Sequence, residues 1–301
     1  MSGRGATGFR HLILVDRGGT HVARITAQPL ELPRFPRLSP DGRRLALTIG
    51  PSNAGQIWVY DLVGSVRPRQ LTFQDHNLLP IWSPDGNRIV FLSRATSDQM
   101  LSIPADGSAT EPERVIAHQY LAVPRDWSPD GAFILFEEMR HLHLLHLTDG
   151  KTRPWLKTRF AEVDGRFSPH GGQWLAYTSD QSGTEEVWVR PFPGPGAPVP
   201  VSSGGGHDPV WSRDGKEVFY LNGPKILSAR VIPGATFRVD PPRVLFERGS
   251  YGSPIAGRVY DVAPDGRFVM TENEPNDNTT PASIVVIRNW NEELKQRVPT
   301  R

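Results

Sequence analysis

The chain has 301 residues, a formal net charge of +2 and no cysteine. Because cysteine is absent, disulfides and thiolate ligands are excluded, and any metal site must use His, Asp, Glu or carbonyl oxygens. The 34 basic residues are scattered among 32 acidic ones, so we expect no nucleic-acid partner.

The N-terminal segment and the hydropathy of the chain bear on localisation. The segment MSGRGATGFRHLILVDRGG is positively charged but has no apolar run of signal-peptide length. No stretch approaches the roughly 18 apolar residues of a membrane span. Taken alone, the sequence predicts a cytoplasmic protein without a membrane span, or a periplasmic one if it belongs to a longer exported or membrane-anchored protein.

A repeat organises the chain after two strand-like segments, HLILVD (11–16) and HVARIT (21–26). Six copies are spaced 40 to 51 residues apart: LSPDGRRLAL from Leu38, WSPDGNRIVF from Trp82, WSPDGAFILF from Trp127, FSPHGGQWLAY from Phe167, WSRDGKEVFY from Trp211 and VAPDGRFVM from Val262. Internal similarity at such a period is typical of propellers and solenoids.

Each copy predicts a strand, a tight turn and a second strand. In Ser-Pro-Asp-Gly, Pro fixes φ, Asp bonds its own backbone and Gly accepts a positive φ. Third strands are expected at QIWVYDL (56–62), EVWVRPF (186–192) and KILSARV (225–231), and fourth strands at RPRQLTF (67–73) and PERVIAH (112–118). Four short antiparallel strands in about 44 residues form one propeller blade. The sequence therefore predicts an all-β, six-bladed β-propeller of four-stranded antiparallel blades, in one domain over residues 1–301.

The two ends of the chain are expected to close the ring. Five candidate strands compete for four places in the closing blade: HLILVD, HVARIT, RVYDVA (258–263), RFVMTE (267–272) and SIVVIRNW (283–290). One of them must lie outside the blade, and the sequence alone does not say which. Residues 1–10 are expected to form a flexible lead and residues 291–301 a C-terminal tail.

The repeat and several other segments resemble a known family. The SPDG after an aromatic residue, IWVYDL, RPFPGPG (190–196), VSSGGGHDPVWSRDGKEVFY (201–220) and NWNEELKQRVPTR (289–301) are similar to TolB-type, WD-repeat-like propellers, and more narrowly to the propeller modules attached to bacterial transmembrane serine/threonine kinases. The resemblance runs from about residue 11 to residue 301. It implies a binding or sensing role, since members mostly serve as binding scaffolds, although some propeller relatives are lyases or hydrolases. The sequence contains neither a Gly-rich phosphate loop with a following lysine nor a His-Arg-Asp catalytic loop.

Ligand-binding residues are expected at one mouth of the central channel. The innermost strand of each blade precedes SPDG, so the residues four to seven positions before the motif serine should line this mouth. These positions carry Arg34, His76, Asn77, Glu162, Asp164, His207, Asp208 and Arg258. The segment GGGHDP (204–209) is the best local candidate, because glycines allow a ligand to approach the backbone closely.

Two interpretations of these polar residues remain open. Two imidazoles and three carboxylates could hold a divalent cation that activates water, with His76, Glu162, Asp164, His207 and Asp208 as its ligands. Alternatively, the residues line a wet polar channel and bond to backbone amides and water. No cofactor is otherwise expected. The motif serines are expected to be turn residues, and the aromatic residues before them to pack between blades.

A second cluster of histidines lies in HLHLLHLTDG (141–150) and raises the question of a zinc site. Alignment on the repeat places this segment at the third strand of its blade. Strand side chains alternate, so His141 and His143 should face one side and His146 the other. Three ligands from one regular strand cannot converge on one ion, and the metal prediction therefore stays with the channel mouth.

The function favoured by the sequence is non-catalytic recognition. We expect a monomeric binding or scaffold propeller whose channel mouth or top loops recognise a protein or small-molecule ligand, in the manner of a sensor module. The alternative is a metal-dependent hydrolase or lyase that uses the His and acidic residues of the mouth.

Overall fold

The structure, a computed structural model, describes residues 8–64, 67–95, 97–116, 121–234, 236–248 and 258–273. Their regular secondary structure consists of β-strands. Within these ranges no helix has the length and apolar character needed to span a membrane. The candidate strand SIVVIRNW, the expected tail and most of the expected N-terminal lead lie outside the described residues.

Three strands precede the first repeat, and five four-stranded blades follow in chain order. The first three are β1 (Phe9–Val15), β2 (His21–Arg24) and β3 (Leu30–Glu31). Blade 1 comprises β4 (Arg34–Leu38), β5 (Arg44–Ile49), β6 (Gln56–Asp61) and β7 (Arg69–Gln70). Blade 2 comprises β8 (His76–Trp82), β9 (Arg88–Arg94), β10 (Asp98–Pro104) and β11 (Glu113–Ile116). Blade 3 comprises β12 (Val123–Trp127), β13 (Phe133–Glu138), β14 (His141–His146) and β15 (Thr152–Leu156). Blade 4 comprises β16 (Glu162–Phe167), β17 (Trp174–Ser179), β18 (Glu186–Pro191) and β19 (Val199–Pro200).

The fifth blade and the last strands complete the ring. Blade 5 comprises β20 (His207–Trp211), β21 (Glu217–Asn222), β22 (Lys225–Arg230) and β23 (Arg243–Glu247), and the chain continues to β24 (Tyr260–Val262) and β25 (Phe268–Asn273). Each of blades 1 to 5 is a four-stranded antiparallel sheet in chain order. The predicted all-β, six-bladed propeller of four-stranded antiparallel blades is therefore confirmed.

Blade 6 contains both ends of the described chain. Its order is β24-β25-β1-β2, with β3 paired to β1 off this path. The junction between β25 and β1 is antiparallel and runs from the pair Arg10–Asn273 to the pair Val15–Phe268. The open choice among five candidate strands is thereby resolved for the described residues, since the two inner strands come from the C-terminal side and the outer two from the N-terminal side.

The Ser-Pro-Asp-Gly motif forms the turn between the first two strands of a blade, as its chemistry predicts. Ser39 Oγ donates a hydrogen bond to Asp41 Oδ1 over 2.5 Å, and the same bond recurs at the second, third and fifth motifs. The motif glycine has a positive φ, for example 71° at Gly42, which favours glycine. The motif serines are therefore structural, and their hydroxyls are engaged in the turn.

The aromatic residue before the motif serine is hydrogen-bonded to the preceding blade in two places. Trp82 Nε1 donates to the carbonyl oxygen of Arg37 in the preceding blade over 2.8 Å, and Trp211 Nε1 donates to that of Arg166 over 3.2 Å. Both indoles are buried in apolar clusters that span two blades. Trp127 differs, because it is half-buried and donates to Gly131 within its own turn over 3.2 Å.

Truncation of the two kinds of tryptophan should therefore cost different amounts of stability. We expect Trp82→Ala to lower the free energy of unfolding by about 3–5 kcal/mol, the usual cost of removing a buried aromatic side chain. Trp82→Phe keeps most of the apolar contact and loses the inter-blade hydrogen bond, so a loss of about 1–2 kcal/mol is expected. Trp127→Ala should cost less than Trp82→Ala in urea denaturation, and an equal cost would contradict the inter-blade role of Trp82.

Candidate functional site

The central channel is lined by the innermost strands β4, β8, β12, β16, β20 and β24. We call the end where these strands begin the mouth, and the end where they enter the Ser-Pro-Asp-Gly turns the turn end. The strands are not regular between the two ends. At four residues before the motif serine, Phe35, Leu79, Asp164 and Asp208 all have φ between 53° and 59°, and each pairing register shifts there.

This bulge determines which side chains share a side of the strand. A bulge inserts one unpaired residue, bends the strand and redirects the side chains on either side of it. In blades 4 and 5 the bulged residue is an aspartate, a residue type that tolerates a positive φ better than most. Asp164 and Asp208 consequently occupy equivalent positions on neighbouring inner strands.

Asp164 and Asp208 belong to a buried ionic network that we call the mouth cluster, together with Arg125, Glu137 and His207. Arg125 donates to Glu137 Oε2 from Nη2 over 2.6 Å and from Nε over 2.9 Å, and its Nη1 lies 3.0 Å from Asp164 Oδ1. His207 Nδ1 donates to Asp208 Oδ2 over 3.2 Å. The side chain of His207 is 37% exposed, whereas the others are at most 15% exposed, so the imidazole is the part of the cluster that solvent reaches best.

The two aspartates differ in their acidity. Burial, with a smaller contribution from the nearby Asp208 and Glu137, raises the pKa of Asp164 to about 6 against the attraction of Arg125. Burial acts in the same sense on Asp208, but the hydrogen bond from His207 and the charges of His207 and Arg125 outweigh it and lower the pKa of Asp208. The hydrogen bond to Asp208 raises the pKa of His207. The two carboxyl groups of this cluster therefore have different pKa values because their surroundings differ.

The remaining predicted mouth residues do not join this cluster. Glu162 accepts hydrogen bonds from His141 Nδ1 over 2.7 Å and from the hydroxyl of Thr158. Asn77 donates to Gln56 Oε1 over 3.1 Å and to the carbonyl of Gln74 over 2.6 Å. Both side chains are thus hydrogen-bonded to residues of neighbouring loops and strands.

Arg34 and His76 lie near each other in blades 1 and 2. Arg34 Nη2 donates to the carbonyl oxygens of Gly50 and Pro51 over 3.1 and 3.2 Å. Burial, together with Arg34 and Arg94, lowers the pKa of His76, and its Nε2 is buried without a hydrogen-bond partner in the described part of the chain. The positive charge around His76 comes from Arg34 and Arg94, and this region is separate from the mouth cluster.

The structure brings together only three of the five residues that the sequence predicts as metal ligands. Asp164, His207 and Asp208 lie in the mouth cluster, whereas Glu162 and His76 have the surroundings given above. Within the described ranges, no three His, Asp or Glu side chains are grouped so that they could hold a metal ion.

The histidines of β14 have separate carboxylate partners. His141 Nδ1 lies 2.7 Å from Glu162, His143 Nδ1 lies 3.6 Å from Glu138, and His146 Nδ1 lies 3.0 Å from Asp149. β14 is the third strand of blade 3, as the repeat predicts. The three imidazoles follow the strand's alternation, and they do not converge.

Sequence reasoning missed a second polar region, at the turn end. The residues two positions before the motif serine are, from blade 6 through blade 5, Asp261, Arg37, Ile81, Asp126, Arg166 and Val210. All six line a cavity of about 320 Å³, which Arg258 and Arg213 also line. The order acidic, basic, apolar occurs twice around the ring, and this pattern was available in the sequence at a repeat position outside the four-to-seven window.

Two aspartates of this cavity bridge adjacent blades in the same way. Asp261 Oδ2 accepts the backbone N–H of Leu38 over 2.8 Å, and Asp126 Oδ2 accepts that of Phe167 over 2.8 Å. Asp261 also pairs with Arg258, whose Nε donates to the carbonyl of Tyr260 over 2.7 Å. These carboxylates therefore hold the ring together at its inner edge, in blades that are opposite each other in the ring.

The protein is a six-bladed propeller, and several solved structures have a similar fold. It is similar to the putative TolB from Agrobacterium tumefaciens, with a TM-score of 0.65 and 18% identity over 89% of this chain and 99% of that one. It is also similar to the periplasmic gluconolactonase PpgL of Pseudomonas aeruginosa, with a TM-score of 0.58 and 18% identity over 88% of this chain and 89% of that one. A third similar structure is an oligogalacturonate lyase in complex with manganese, with a TM-score of 0.53 and 15% identity over 87% of this chain and 78% of that one.

These similarities identify the fold. The protein has the TolB-type six-bladed propeller fold that the sequence resemblance implies. No protein-family model and no curated protein sequence matches the chain. At identities below 25%, a shared fold does not carry over an activity.

The pKa of Asp164 gives a prediction of pH dependence. Its carboxyl binds a proton more tightly in the folded protein than at its ordinary pKa of 3.8, because burial raises the folded-state pKa to about 6. Its contribution to stability is therefore present at low pH and is lost as the pH rises from about 4 to about 6. We expect the difference in unfolding free energy between the wild type and Asp164→Asn to fall by about 1–3 kcal/mol over this range.

Asp208→Asn is the matched control in the neighbouring blade. The pKa of Asp208 is lowered, so its contribution is lost only as the pH falls below the ordinary range of a carboxyl group. Urea denaturation at several pH values between about 4 and 6, below the range in which His207 loses its proton, measures both differences. A difference for Asp164→Asn that is independent of pH would contradict the raised pKa.

Proposed function

We propose that the protein is a non-catalytic binding propeller, of the sensor or scaffold type, that recognises a protein or small ligand at the mouth of its channel. The observation that carries this proposal is the mouth cluster, in which charged groups are fixed by each other and one imidazole reaches solvent. Charged groups that are already held in place give a ligand directional partners at a low cost in conformational entropy.

The loop beside His207 supports the same function. Gly205 N–H donates to Glu186 Oε1 over 2.8 Å, and Gly206 N–H donates to the carbonyl of Glu185 over 2.8 Å. Gly205 has a φ of 108°, and a Cβ added at Gly206 would lie 2.4 Å from Ser202 Oγ. Only glycine fits these two positions without strain, so the loop presents backbone to a ligand from a fixed conformation.

The fold and the resemblance of the sequence also favour recognition. Propellers commonly bind ligands at the channel, where all blades contribute residues to one small area. The segments that are similar to kinase-attached propellers imply a sensing role. In this proposal the partner contacts His207 and the loops around it, and Asp208 orients the imidazole through its hydrogen bond.

The second candidate function is that of a metal-assisted hydrolase or lyase. One observation favours it, namely that Asp164 and Asp208 differ in acidity within one cluster, as the acid and base of many enzymes do. Arg125 opposes it, because the guanidinium bonded to Asp164 and Glu137 occupies the space in which those two carboxylates would hold a cation.

Ligand-dependent thermal stability tests the binding function. Wild-type protein is screened against a library of small metabolites and peptides, and each compound that raises the melting temperature is repeated on His207→Ala. A ligand at a concentration of about 100 Kd stabilises the folded state by about 2.7 kcal/mol, which corresponds to a rise of about 5–10 °C for a domain of this size.

The control for this screen is His146→Ala. His146 also pairs with an aspartate through Nδ1, but it lies on the third strand of blade 3. We expect ligands of the mouth to lose most of their effect in His207→Ala and to keep it in His146→Ala. Ligands that act equally on all three proteins would place recognition away from the mouth.

Metal analysis tests the enzymatic alternative. A binding propeller should carry no stoichiometric divalent cation after purification, and EDTA should leave its melting temperature unchanged. A stoichiometric metal that is lost in Asp208→Asn, with a drop in melting temperature upon chelation, would favour the hydrolase or lyase instead.

A further inference from the structure

The cavity at the turn end has a lining that differs in charge from the mouth cluster. Its charged residues are Arg37, Arg166, Arg213, Arg258, Asp126 and Asp261. Four arginines against two aspartates leave an excess of two positive charges. The cavity is at the opposite end of the inner strands from His207, so it does not belong to the site of the proposed function.

The two aspartates are already engaged by the protein. Asp126 accepts the backbone N–H of Phe167, and Asp261 accepts that of Leu38 and pairs with Arg258. These contacts account for one of the four arginines. Within the described residues the other three have no ion pair with either aspartate, and Asp126 attracts Arg37 and Arg166 only from a longer distance.

Arg37 and Arg166 are buried without a carboxylate partner. They are 6% and 4% exposed, and among the described residues no carboxylate oxygen lies within 4.0 Å of either guanidinium. Arg37 makes one long hydrogen bond, of 3.4 Å, to the carbonyl of Pro36. Arg166 donates to the carbonyls of Arg125 and Gly165, and its Nε has no partner in the described part of the chain. Burying a charge is costly unless it is closely paired, and the aspartates attract these guanidinium groups only from beyond ion-pair distance, so an anion in direct contact would stabilise them.

The arginines also repel one another. Burial and, to a smaller extent, Arg258 lower the pKa of Arg166 to about 10. Burial lowers the pKa of Arg37 well below its ordinary value, with Arg258 and Arg166 acting in the same sense. Three guanidinium groups therefore face each other across one small space, and a bound anion would relieve their repulsion.

The sequence adds a further arginine where the repeat has none. The residue after the motif serine is proline in five copies and Arg213 in the sixth. Arg213 Nη2 donates to the carbonyl of Leu38, two blades away in the ring, over 3.2 Å. The turn does not need this arginine, because proline serves the same turn in every other blade.

Aromatic and apolar side chains form the rest of the lining. Trp82, Trp127, Trp211 and Phe167 lie around the cavity, together with Ile81 and Val210. A volume of about 320 Å³ is at the lower end of the range for small-molecule sites. The cavity thus offers a set of planar guanidinium donors beside aromatic walls, a combination that suits a carboxylate attached to an apolar group.

We propose that the turn-end cavity is a binding site for an organic carboxylate, which is held by Arg37, Arg166 and Arg213 and packs its apolar part against the tryptophans. The carboxylate belongs either to a free small molecule or to the end of a peptide. In both cases the same guanidinium groups recognise it, at the end of the channel away from His207.

The probe for this site is 3-phenylpropionate, which combines a carboxylate with an aromatic ring. Titration is followed by calorimetry and by tryptophan fluorescence, since three tryptophans line the cavity. We expect saturable binding of one molecule per chain that weakens as salt is added. The neutral 3-phenylpropanol and inorganic phosphate should each bind at least about tenfold more weakly, since the first lacks the charge and the second lacks the ring. A peptide that ends in phenylalanine, compared with its C-terminal amide, distinguishes the peptide source from the free acid.

Arg213→Pro and Arg37→Met test the residues. Arg213→Pro restores the residue of the other five copies and loses the hydrogen bond to Leu38, so we expect at most a small drop in melting temperature and a several-fold loss of affinity for 3-phenylpropionate. Arg37→Met removes a buried charge that has no carboxylate in direct contact, so the melting temperature without ligand should rise while the affinity falls. The matched control is Arg114→Met, because Arg114 is exposed on β11, at the outer edge of blade 2.

The outcomes separate this site from the mouth. His207→Ala should leave the binding of 3-phenylpropionate unchanged. Weaker binding in this variant would show that the ligand binds at the mouth and not in the turn-end cavity. Equal binding of phenylpropionate and phenylpropanol would overturn the role of the arginines. If neither 3-phenylpropionate nor the peptide binds and Arg37→Met lowers the melting temperature, then the arginines are structural and the proposal is wrong.

Discussion

The pairing of β25 with β1 is the constraint on which the rest of the structure depends. These strands are about as far apart in the sequence as the described residues allow, yet they form six consecutive pairs from Arg10–Asn273 to Val15–Phe268. Such a contact closes a very long loop and has a correspondingly large entropic cost. It is compensated because closure removes two sheet edges and buries the apolar faces of blades 5, 6 and 1 against each other. Without this junction there is no ring, and the six inner strands do not surround a channel.

The blades could be predicted from the sequence because each element of the repeat has a local physical cause. Ser39 and Asp41 bond to each other in the turn, and Gly42 takes the positive φ that follows, so the motif specifies the turn wherever it occurs. Third strands such as β14 fall where the repeat places them. The composition of the closing blade could not be predicted, because the candidate strands are similar in pattern and the choice among them is made by long-range pairing.

The candidate site was predicted only in part, and the bulge in the inner strands is the reason. In a regular strand Glu162 and Asp164 would share a face, since they are two residues apart. The register shift between Val163 and Arg166 breaks this alternation. Glu162 therefore bonds to His141, whereas Asp164 joins Arg125. No local signal in the sequence marks this bulge, because its four positions carry residues as different as Phe35 and Asp208.

The two ends of the channel differ in how their charges are balanced. In the mouth cluster, Arg125 contacts two carboxylates and its pKa is raised in spite of its burial, mainly by Asp164 and Glu137. At the turn end, Arg37 and Arg166 are equally buried, and their pKa values are lowered because burial and the neighbouring arginines outweigh the attraction of the nearby aspartates. The same residue type is thus stabilised as a cation at one end and disfavoured at the other.

The residues two positions before the motif serine differ in how their polar groups are satisfied. A repeated fold tolerates polar residues at its inner edge only where each has a partner, and Asp126 and Asp261 meet that condition in equivalent positions. Arg37 and Arg166 occupy the next equivalent positions, where they bond to carbonyl oxygens and, within the described residues, have no carboxylate in direct contact. Apolar side chains of similar size would pack there at a lower cost, as Ile81 and Val210 do at the remaining two positions. The hydrogen bonds of these two arginines therefore do not account for their buried positive charges, which the proposed carboxylate ligand would compensate.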